Sequence, residues 1–494
     1  MSGTTGLGET WYAANAVASP ARPSLAVECD VDVCVVGGGL AGLTAAREIA
    51  RRGWSVALLE GHRIAWNASG RNTGFVLPGF AAEEDAIIER VGLDHAKALW
   101  SLSEQGAEYV RNTVRELDMP GVDLVEDGWL NVWKSDDDAR VAHLAEFYAK
   151  QFGAEVEHWP KERVRETLRS NRYFSALNFP RGFAINPLAY AHGLAAAAEA
   201  AGARIFENTP ALDIDPAGVR KRITTPQARV RAGQVIFAGN THIGLLMPKL
   251  AATLVPCSTY AIATEPLGAA LHDAIRTQAA VSDTEFVDNH YRIVDGDRLV
   301  WCGRCTLWEG DPRSFTKSLL RDIRRTFPQL RDVKAAHSWT GTLGNTVHLM
   351  PQIGETMPGV WLLSGFSGHG LNTTAMGGEV VARAIAEDDP SWNLFSPFEL
   401  VWAGGRLGRA AVQSYYYAYR TRERIDGWLS RRREAEKRRK DGLPPLEVPA
   451  PPVVPVDAAA ADSAAEETPK KKRLRKKKAD VGAEAVSAEK PPEI

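Results

Sequence analysis

The feature that most constrains the fold of this chain is a run of glycines between a predicted strand and a predicted helix. A valine-rich segment, residues 31–36, is followed at once by Gly-Gly-Gly-Leu-Ala-Gly at residues 37–42 and then by residues of helical composition. In such a unit Gly37 permits the tight turn, Gly39 lets the backbone approach a pyrophosphate, and Gly42 allows the helix to pack closely on the strand. The pattern predicts a Rossmann-like unit that binds a dinucleotide.

Glu60 strengthens this prediction. It stands at the end of the next predicted strand, residues 54–60, where a carboxylate accepts hydrogen bonds from the hydroxyls of an adenosine ribose. An acid at that place favours an unphosphorylated ribose, which indicates NAD or FAD rather than NADP. A glycine-rich turn alone is a weak signal, but strand, helix and acid in register indicate a nucleotide site.

A second glycine cluster favours FAD over NAD. Residues 360–364 are a predicted strand, residues 365–372 a glycine-rich turn and residues 373–386 a predicted helix. The helix N-terminus would stabilise the negative charge of a reduced flavin, although an ordinary strand–turn–helix unit explains the same residues equally well. The small and polar residues 64–74 suit a loop that lies against a ligand.

Several segments together are typical of one family. They are Trp11-Tyr12, 35–42, Ala68-Ser69-Gly70-Arg71-Asn72, Thr264-Glu265-Pro266-Leu267, Tyr291-Arg292 ahead of Arg298-Leu299-Val300, Trp339-Thr340-Gly341 and 365–370. On these residues the chain, from about residue 11 to 389, resembles the D-amino-acid-oxidase-like flavoproteins, and most closely the gamma-glutamylputrescine oxidoreductases.

This resemblance implies an α/β fold with two lobes. A discontinuous Rossmann-like FAD-binding lobe would comprise residues 30–85, 185–250 and 335–393, and a mixed-sheet substrate lobe would comprise residues 86–184 and 251–334. The residues it implies as FAD contacts are Gly37, Gly39, Gly42, Glu60, Ser69, Arg71, Asn72, Leu212, Gly365, Gly368, His369, Gly370 and Leu371. The turn 210–212 would touch the adenine through its backbone.

The chain also departs from some relatives. Those with covalent flavin carry a His or Cys about where Asn72 and Gly341 stand, so noncovalent FAD is expected here. Glycine-oxidase-like relatives hold a substrate carboxylate with two arginines, which would fall at about Leu343 and Gly368. Their absence disfavours a free α-amino acid as the substrate.

Catalytic candidates are His369, Tyr291 and Arg292. His369 could act in proton transfer or be a turn residue that the backbone satisfies, and Tyr291 and Arg292 could lie over the flavin or simply close a strand ladder. Hydride transfer from an amine carbon to flavin N5 needs a neutral amine and good alignment rather than a strong base. A catalytic signature can therefore be absent from the sequence.

These features predict an FAD-dependent oxidoreductase that oxidises the C–N bond of a small amine or N-substituted amino compound to an imine, with oxygen or another acceptor taking the electrons. Two alternatives stay open: an amino-acid dehydrogenase that feeds a quinone, and a non-catalytic flavoprotein whose basic tail binds a partner. No metal site is predicted. Cys302-Gly303-Arg304-Cys305 resembles a redox pair or half a zinc site, but it lies in a predicted strand without a second ligand pair.

Composition sets the remaining expectations. With 59 basic and 61 acidic residues the chain is nearly neutral, and its five cysteines are no disulfide framework and suit a reducing compartment. Neither a signal peptide nor an apolar run of about 18 residues is evident, so no transmembrane segment and a cytoplasmic location are expected.

The ends of the chain differ from its middle. Residues 1–29 are predicted to be an irregular arm, and residues 394–440 a helical extension with a helix at 415–440. Residues 441–494 are rich in Pro and Ala and contain no aromatic residue, which predicts disorder. Eight of the nine residues 470–478 are basic. They would contact a polyanion or an anionic membrane surface weakly, or form only a solvated tail.

Overall fold

The structure is a computed structural model that describes residues 9–17, 19–244, 246–283 and 289–446. Most of the tail for which the sequence predicts disorder, including the basic run 470–478, lies outside the described residues.

Helices and strands alternate over the first half of the described chain. The α-helices are α1 (Trp11–Ala14), α2 (Leu40–Arg51), α3 (Ala68–Arg71), α4 (Glu84–Val91), α5 (Leu93–Glu116), α6 (Asp138–Phe147), α7 (Lys161–Thr167), α8 (Pro187–Ala200), α9 (Pro248–Ala251), α10 (Ala269–Ala274), α11 (Arg313–Thr326), α12 (Gly370–Glu387) and α13 (Gly405–Lys440). The strands are β1 (Cys29–Val36), β2 (Val56–Leu59), β3 (Phe75–Val76), β4 (Trp129–Trp133), β5 (Glu157–Trp159), β6 (Ser175–Phe179), β7 (Phe183–Ala184), β8 (Arg204–Phe206), β9 (Asp213–Asp215), β10 (Lys221–Thr224), β11 (Arg229–Phe237), β12 (Val255–Thr264), β13 (Ala280–Asp283), β14 (His290–Val294), β15 (Arg298–Thr306), β16 (Ala335–Asn345), β17 (Gln352–Met357) and β18 (Val360–Ser364).

The first sheet has the strand of the glycine motif near its centre. Its order is β17-β18-β11-β1-β2-β8, with the β9–β10 hairpin joined to β11. The strands from β18 to β8 are parallel, whereas β17 is antiparallel at the edge. In β1, Val33 and Val35 belong to one hydrophobic core and Cys34 and Val36 to another, because a parallel strand is covered on both faces. The carboxyl end of β1 is therefore where a ligand is expected.

The helices α2, α8 and α12 share a hydrophobic core with one face of this sheet, and α5 packs on α12. Glycines let them approach closely: a Cβ at Gly378 of α12 would lie 2.7 Å from the Cβ of Thr44, and one at Gly106 of α5 would lie 2.8 Å from the Cβ of Met376. α5 lies in the segment 86–184, which the sequence analysis assigned to the substrate lobe, and it packs on α12. The position of α5 follows from the helix against which it packs. The order of the elements along the sequence does not indicate that helix.

The second sheet has the order β16-β12-β15-β14-β13-β4-β6-β5. Its pairs are antiparallel except β13 with β4, which are parallel, so the sheet is mixed as predicted. The sheet also includes β16, which the sequence assigned to the FAD-binding lobe. The reason is its long pairing with β12, whose residues lie about 80 positions earlier in the chain.

The two faces of the second sheet have different environments. One face packs against α11, with Tyr291 and Trp301 among the buried residues. The other face carries Trp339, which packs with Trp11 and Tyr12 of the N-terminal helix α1. On that second face β16 also contacts α3, a helix of the first lobe. The second sheet thus lies over the loop that follows β2.

One disulfide joins Cys257 of β12 to Cys305 of β15. The sequence did not reveal this bond, because its two cysteines are 48 residues apart and meet only through strand pairing. Cys302 stays a free thiol, so the two cysteines of the C-x-x-C segment are not bonded to each other.

The long helix α13 begins at Gly405, ten residues before the predicted start, and ends at Lys440 as predicted. Its inner side is fixed on the second lobe, where Tyr416 packs with Cys257 and Cys305. None of the described helices combines the length and the apolar character that a membrane span needs.

Candidate active site

The glycine turn after β1 has the geometry that its sequence predicts. Gly37 has a φ of +119°, which side chains rarely tolerate, and a Cβ there would lie 2.7 Å from the carbonyl carbon of Ala238. A Cβ at Gly42 would collide with the carbonyl oxygen of Gly37. The turn and the close approach of α2 to β1 therefore both require glycine.

Gly39 caps the N-terminus of α2 without a side-chain hydrogen bond. A Cβ at this position would lie 2.9 Å from Oγ of Ser69, and that hydroxyl oxygen accepts a hydrogen bond of 3.1 Å from the Leu40 N–H. Gly39 and Ser69 thus meet at a helix N-terminus, where backbone N–H groups and the helix dipole favour a pyrophosphate.

Glu60 follows β2 and points back to the glycine turn. Its Oε2 accepts a hydrogen bond of 2.7 Å from the Gly38 N–H, and its Oε1 accepts one of 2.8 Å from the His62 N–H. Burial raises the pKa of this carboxyl, and the two N–H donors oppose that rise. Each oxygen retains a lone pair that can accept from a ribose hydroxyl.

The loop after β2 is closed by Asn72. Its Nδ2 donates hydrogen bonds of 3.0 Å to the carbonyls of Ala68 and Ser69, and its Oδ1 accepts one of 2.8 Å from the Gly74 N–H. Asn72 therefore shapes the loop, and its side chain is occupied by backbone groups.

Arg71 joins this loop to the second sheet. Its Nε donates to the carbonyl of Trp66 (2.9 Å), and its own carbonyl accepts from the indole N–H of Trp339 in β16 (2.9 Å). Burial lowers the pKa of Arg71. A Cβ at Gly341 would lie only 3.2 Å from the Cβ of Arg71, so a small residue lets β16 cross the loop closely.

The second glycine turn joins β18 to α12. Gly365 and Gly368 have φ values of +67° and +88°, and a Cβ at Gly365 would collide with Cγ2 of Thr346. Gly370 is the first residue of α12, and Leu371 is buried just behind it. The N–H groups of this helix end therefore point toward the turn.

His369 caps α12 and is partly buried. Its Nε2 lies 3.1 Å from the carbonyl oxygen of Pro78, and because a carbonyl only accepts, the proton is on Nε2 and Nδ1 carries the lone pair. Burial lowers the pKa of His369, which favours the neutral ring.

Tyr291 and Arg292 do not come together. Tyr291 is fully buried against α11, where its ring stacks on Trp301 at 4.4 Å and its hydroxyl donates to the hydroxyl of Tyr173 (3.1 Å). Tyr291 therefore belongs to the core of the second sheet and not to the face that meets the first lobe. Arg292 faces the first lobe, where Nε donates to the carbonyl of Thr73 and Nη2 to that of Ile185, each at 2.8 Å.

His290 faces the same side as Arg292, and the sequence analysis missed it. Oγ of Ser282 accepts a hydrogen bond from the indole N–H of Trp129 (2.8 Å) and shares another with Nδ1 of His290 (2.8 Å). Burial, with a smaller effect of the nearby His369, lowers the pKa of His290 to about 4. No motif marks this residue, because its partners come from β4 and β13.

Leu212 lies in the turn directly before β9. Its side chain is 55% exposed, and its N–H donates to the carbonyl of Thr224 (2.8 Å). Pro210, two residues earlier, lies 3.7 Å from where a Cβ of Gly61 would stand. The turn thus adjoins the loop after Glu60, although the N–H of Leu212 is not free for an adenine.

A cleft of about 490 Å³ adjoins the loop after β2. His62 and Trp66, stacked at 4.7 Å, form part of its wall. Asn67, whose Oδ1 accepts from the Thr342 N–H (2.8 Å), forms another part. Across the described ranges, no three His, Cys, Asp or Glu side chains are grouped to hold a metal ion.

A glycine turn at a helix N-terminus, with an acid after the next strand bonded back to that turn, is the geometry of a dinucleotide-binding oxidoreductase. A family model described as "DAO: FAD dependent oxidoreductase" matches residues 32–384. The chain belongs to this family, and it is an FAD-dependent enzyme that acts on amine or amino compounds.

Two curated relatives agree with this assignment, and one solved structure shares the fold. The chain is 31% identical to the gamma-glutamylputrescine oxidoreductase of Escherichia coli over 422 residues, which cover 84% of this chain and 98% of the relative. It is 30% identical to the probable oxidoreductase OrdL of Haemophilus influenzae over 396 residues, or 76% and 88% of the two chains. The glycine oxidase of Geobacillus kaustophilus shares the fold, with a TM-score of 0.64 at 21% identity over 76% of this chain and 99% of that one.

Proposed function

We propose that this enzyme oxidises the C–N bond of a primary or secondary amine to an imine, which water hydrolyses to a carbonyl compound and an amine or ammonia. The observation that carries this proposal is the contact between Leu343 and Gly368, where a Cβ on Gly368 would lie 3.5 Å from Cδ1 of Leu343. Glycine-oxidase-like relatives would hold a substrate carboxylate with arginines at about these two positions.

The residues of the groove fit FAD. Gly39 presents backbone without a side chain at the N-terminus of α2, where a pyrophosphate would bind. Glu60 offers acceptors to the ribose, and the turn Gly365–Gly370 would place a second helix N-terminus near the ring system. The bound flavin would supply a hydride acceptor at N5 for the substrate carbon. Asn72 and Gly341 offer no nucleophile, which supports noncovalent binding.

The residues above the turn suit an uncharged amine. His290 and His369 are held neutral by burial, so neither adds a positive charge beside a substrate nitrogen that must lose its proton. Nδ1 of His369 carries a lone pair that can accept a hydrogen bond or a proton from that nitrogen. The ring of His290 is held in place by its hydrogen bond with Ser282.

Arg292 is the arginine of β14 that faces the first lobe, but its guanidinium donates to two backbone carbonyls. We therefore assign it to positioning: it fixes the loop at Thr73 against the second sheet. The name of the Escherichia coli relative suggests an N-substituted diamine as the first compound to test.

The test is steady-state turnover of purified holoenzyme with putrescine, gamma-glutamylputrescine, N-methylalkylamines and the free amino acids glycine and D-alanine. We expect an aldehyde and an amine or ammonia from one of the amines. Hydrogen peroxide in air would identify oxygen as the acceptor, whereas turnover only with an added quinone would identify a dehydrogenase. Turnover confined to free amino acids would contradict the proposal.

A further inference from the structure

Within the part of the chain that the structure describes, the outer side of α13 is exposed and has a definite orientation. The inner side of the helix is fixed: Gln413 accepts a hydrogen bond of 2.9 Å from the Leu307 N–H, and Glu434 forms a bidentate pair with Arg165 at 2.8 and 3.0 Å. Because these anchors lie on one side of the helix and near both of its ends, the opposite side faces solvent along most of the helix.

Large apolar side chains occupy that outer side. Leu407 is 84% exposed, and Ile425 and Trp428 are each 52% exposed. Leu407 and Ile425 are eighteen residues apart, which is five helical turns, so they lie on the same line along the helix. Between them the same line carries the small residues Ala411 and Ala418. The exposed Tyr417 lies about three turns before Trp428, on the line of that residue. We call Leu407, Ile425 and Trp428 the outer apolar residues.

The outer side is also strongly basic. The helix contains twelve arginines and lysines but four acidic residues. Glu434 is buried on Arg165, whereas Asp426 and Glu436 are exposed and pair with Arg422 and Arg432. The exposed basic residues are Arg406, Arg422, Arg424, Arg432, Arg433, Lys437, Arg439 and Lys440. The local charge is therefore positive in a chain whose formal net charge is −2.

We infer that α13 is a docking surface for an anionic lipid membrane, on which the helix lies flat. Anionic lipid headgroups attract the exposed arginines and lysines, and the interface just below them takes up exposed aliphatic and aromatic side chains. A nucleic acid would use only the charges. A second copy of the same helix would bring eight exposed basic residues against eight others.

The inference is tested with holoenzyme and vesicles. The full chain is used with the lysines and arginines of 470–478 replaced by glutamine, so that the tail does not contribute. We expect co-sedimentation with vesicles of 30% phosphatidylglycerol in phosphatidylcholine at least tenfold above that with pure phosphatidylcholine, falling steeply between 50 and 200 mM salt.

Two variants test whether vesicle binding depends on the outer apolar residues or on any exposed apolar side chain. In the same background, Leu407→Ser with Ile425→Ser and Trp428→Ser should lower partitioning at least tenfold, whereas Val219→Ser, at an 88% exposed position elsewhere, should leave it unchanged. An unaltered flavin spectrum and far-ultraviolet circular dichroism show that the triple variant is folded.

Three results would overturn the inference. One is equal binding to neutral and anionic vesicles, or none. Another is retention of vesicle binding by the folded triple variant. The third is that the parent protein does not bind vesicles but forms a concentration-dependent dimer or binds duplex DNA tightly, and that the triple variant loses this dimer or this DNA binding. Amine turnover is measured in parallel, so that failure here does not bear on the proposed function.

Discussion

Tyr291 and Arg292 are neighbours in β14, yet they serve opposite faces of the second sheet. Tyr291 packs in the core beneath α11, and Arg292 crosses to the first lobe, where it donates to the carbonyls of Thr73 and Ile185. Alternation along a strand forbids both from facing the flavin. It also places His290, two residues before Arg292, on the face that Arg292 occupies.

Because the two residues serve opposite faces, substitutions at Tyr291 and Arg292 should differ in their effects on the free energy of unfolding and on FAD affinity. Tyr291→Phe removes one hydrogen bond and should lower the free energy of unfolding by about 1 kcal/mol, with an unchanged flavin spectrum. Arg292→Met leaves two backbone carbonyls without their donors and should cost about 2–5 kcal/mol. It should also weaken FAD binding, because Thr73 belongs to the loop after β2. Urea unfolding and FAD titration measure both effects, and equal losses of FAD affinity would contradict the assignment.

Gly39 is predicted to be essential for the cofactor. Gly39→Val places a side chain between the helix N-terminus and Ser69, where the pyrophosphate is expected, and should weaken FAD binding at least hundredfold. Gly61→Ala is the matched control, because its Cβ would meet Pro210 at an ordinary 3.7 Å. Fluorescence titration of the apoprotein with FAD distinguishes the two, and normal FAD affinity in the valine variant would refute this view of the groove.

His290 should make stability depend on pH. Its pKa in the folded chain is about 4, below its ordinary value of about 6.5, so the unfolded chain binds the proton first as pH falls. The stabilisation is fully present above pH 6.5 and is lost as pH falls toward 4, by up to about 3 kcal/mol.

Comparison with His290→Gln isolates this contribution. Urea unfolding at pH 7.5 and pH 4.5 should show a smaller loss of stability on acidification in the variant than in the parent chain. Identical losses in both would show that His290 titrates normally in the folded protein.

Leu343 is predicted to exclude substrate carboxylates. Leu343→Arg supplies a cation beside the exposed Gly368 and should tighten inhibition by simple carboxylates such as acetate about tenfold, since one charge-assisted hydrogen bond is worth about 1.5–3 kcal/mol. Leu343→Met keeps the volume without the charge and should leave that inhibition constant unchanged. If both variants respond to acetate alike, Leu343 does not lie at the substrate.

The parts of the site that could be predicted from the sequence have local causes. Gly37, Gly39 and Gly42 are required by their own turn and by the helix that follows, so their spacing alone identifies them. Glu60 is found in the same way, because it ends the strand next to that turn.

The missed parts depend on distant pairing. His290 is oriented by Trp129 and Ser282, the first of which lies about 160 positions away in the chain, and neither stands in a motif. The two cysteines of the disulfide and the place of β16 also depend on which strands become neighbours. Strand alternation in the sequence shows that Tyr291 and Arg292 face opposite sides of the sheet. It does not show which of the two sides meets the first lobe.

Anaerobic single-turnover reduction of the flavin is the most direct test of the central claim. The holoenzyme is mixed with putrescine, gamma-glutamylputrescine or an N-methylalkylamine, and separately with glycine or D-alanine at equal concentration. The account predicts that at least one amine bleaches the flavin absorbance completely, at least a hundredfold faster than either amino acid. Bleaching by glycine or D-alanine at the rate of the best amine, or by none of the amines, would contradict it.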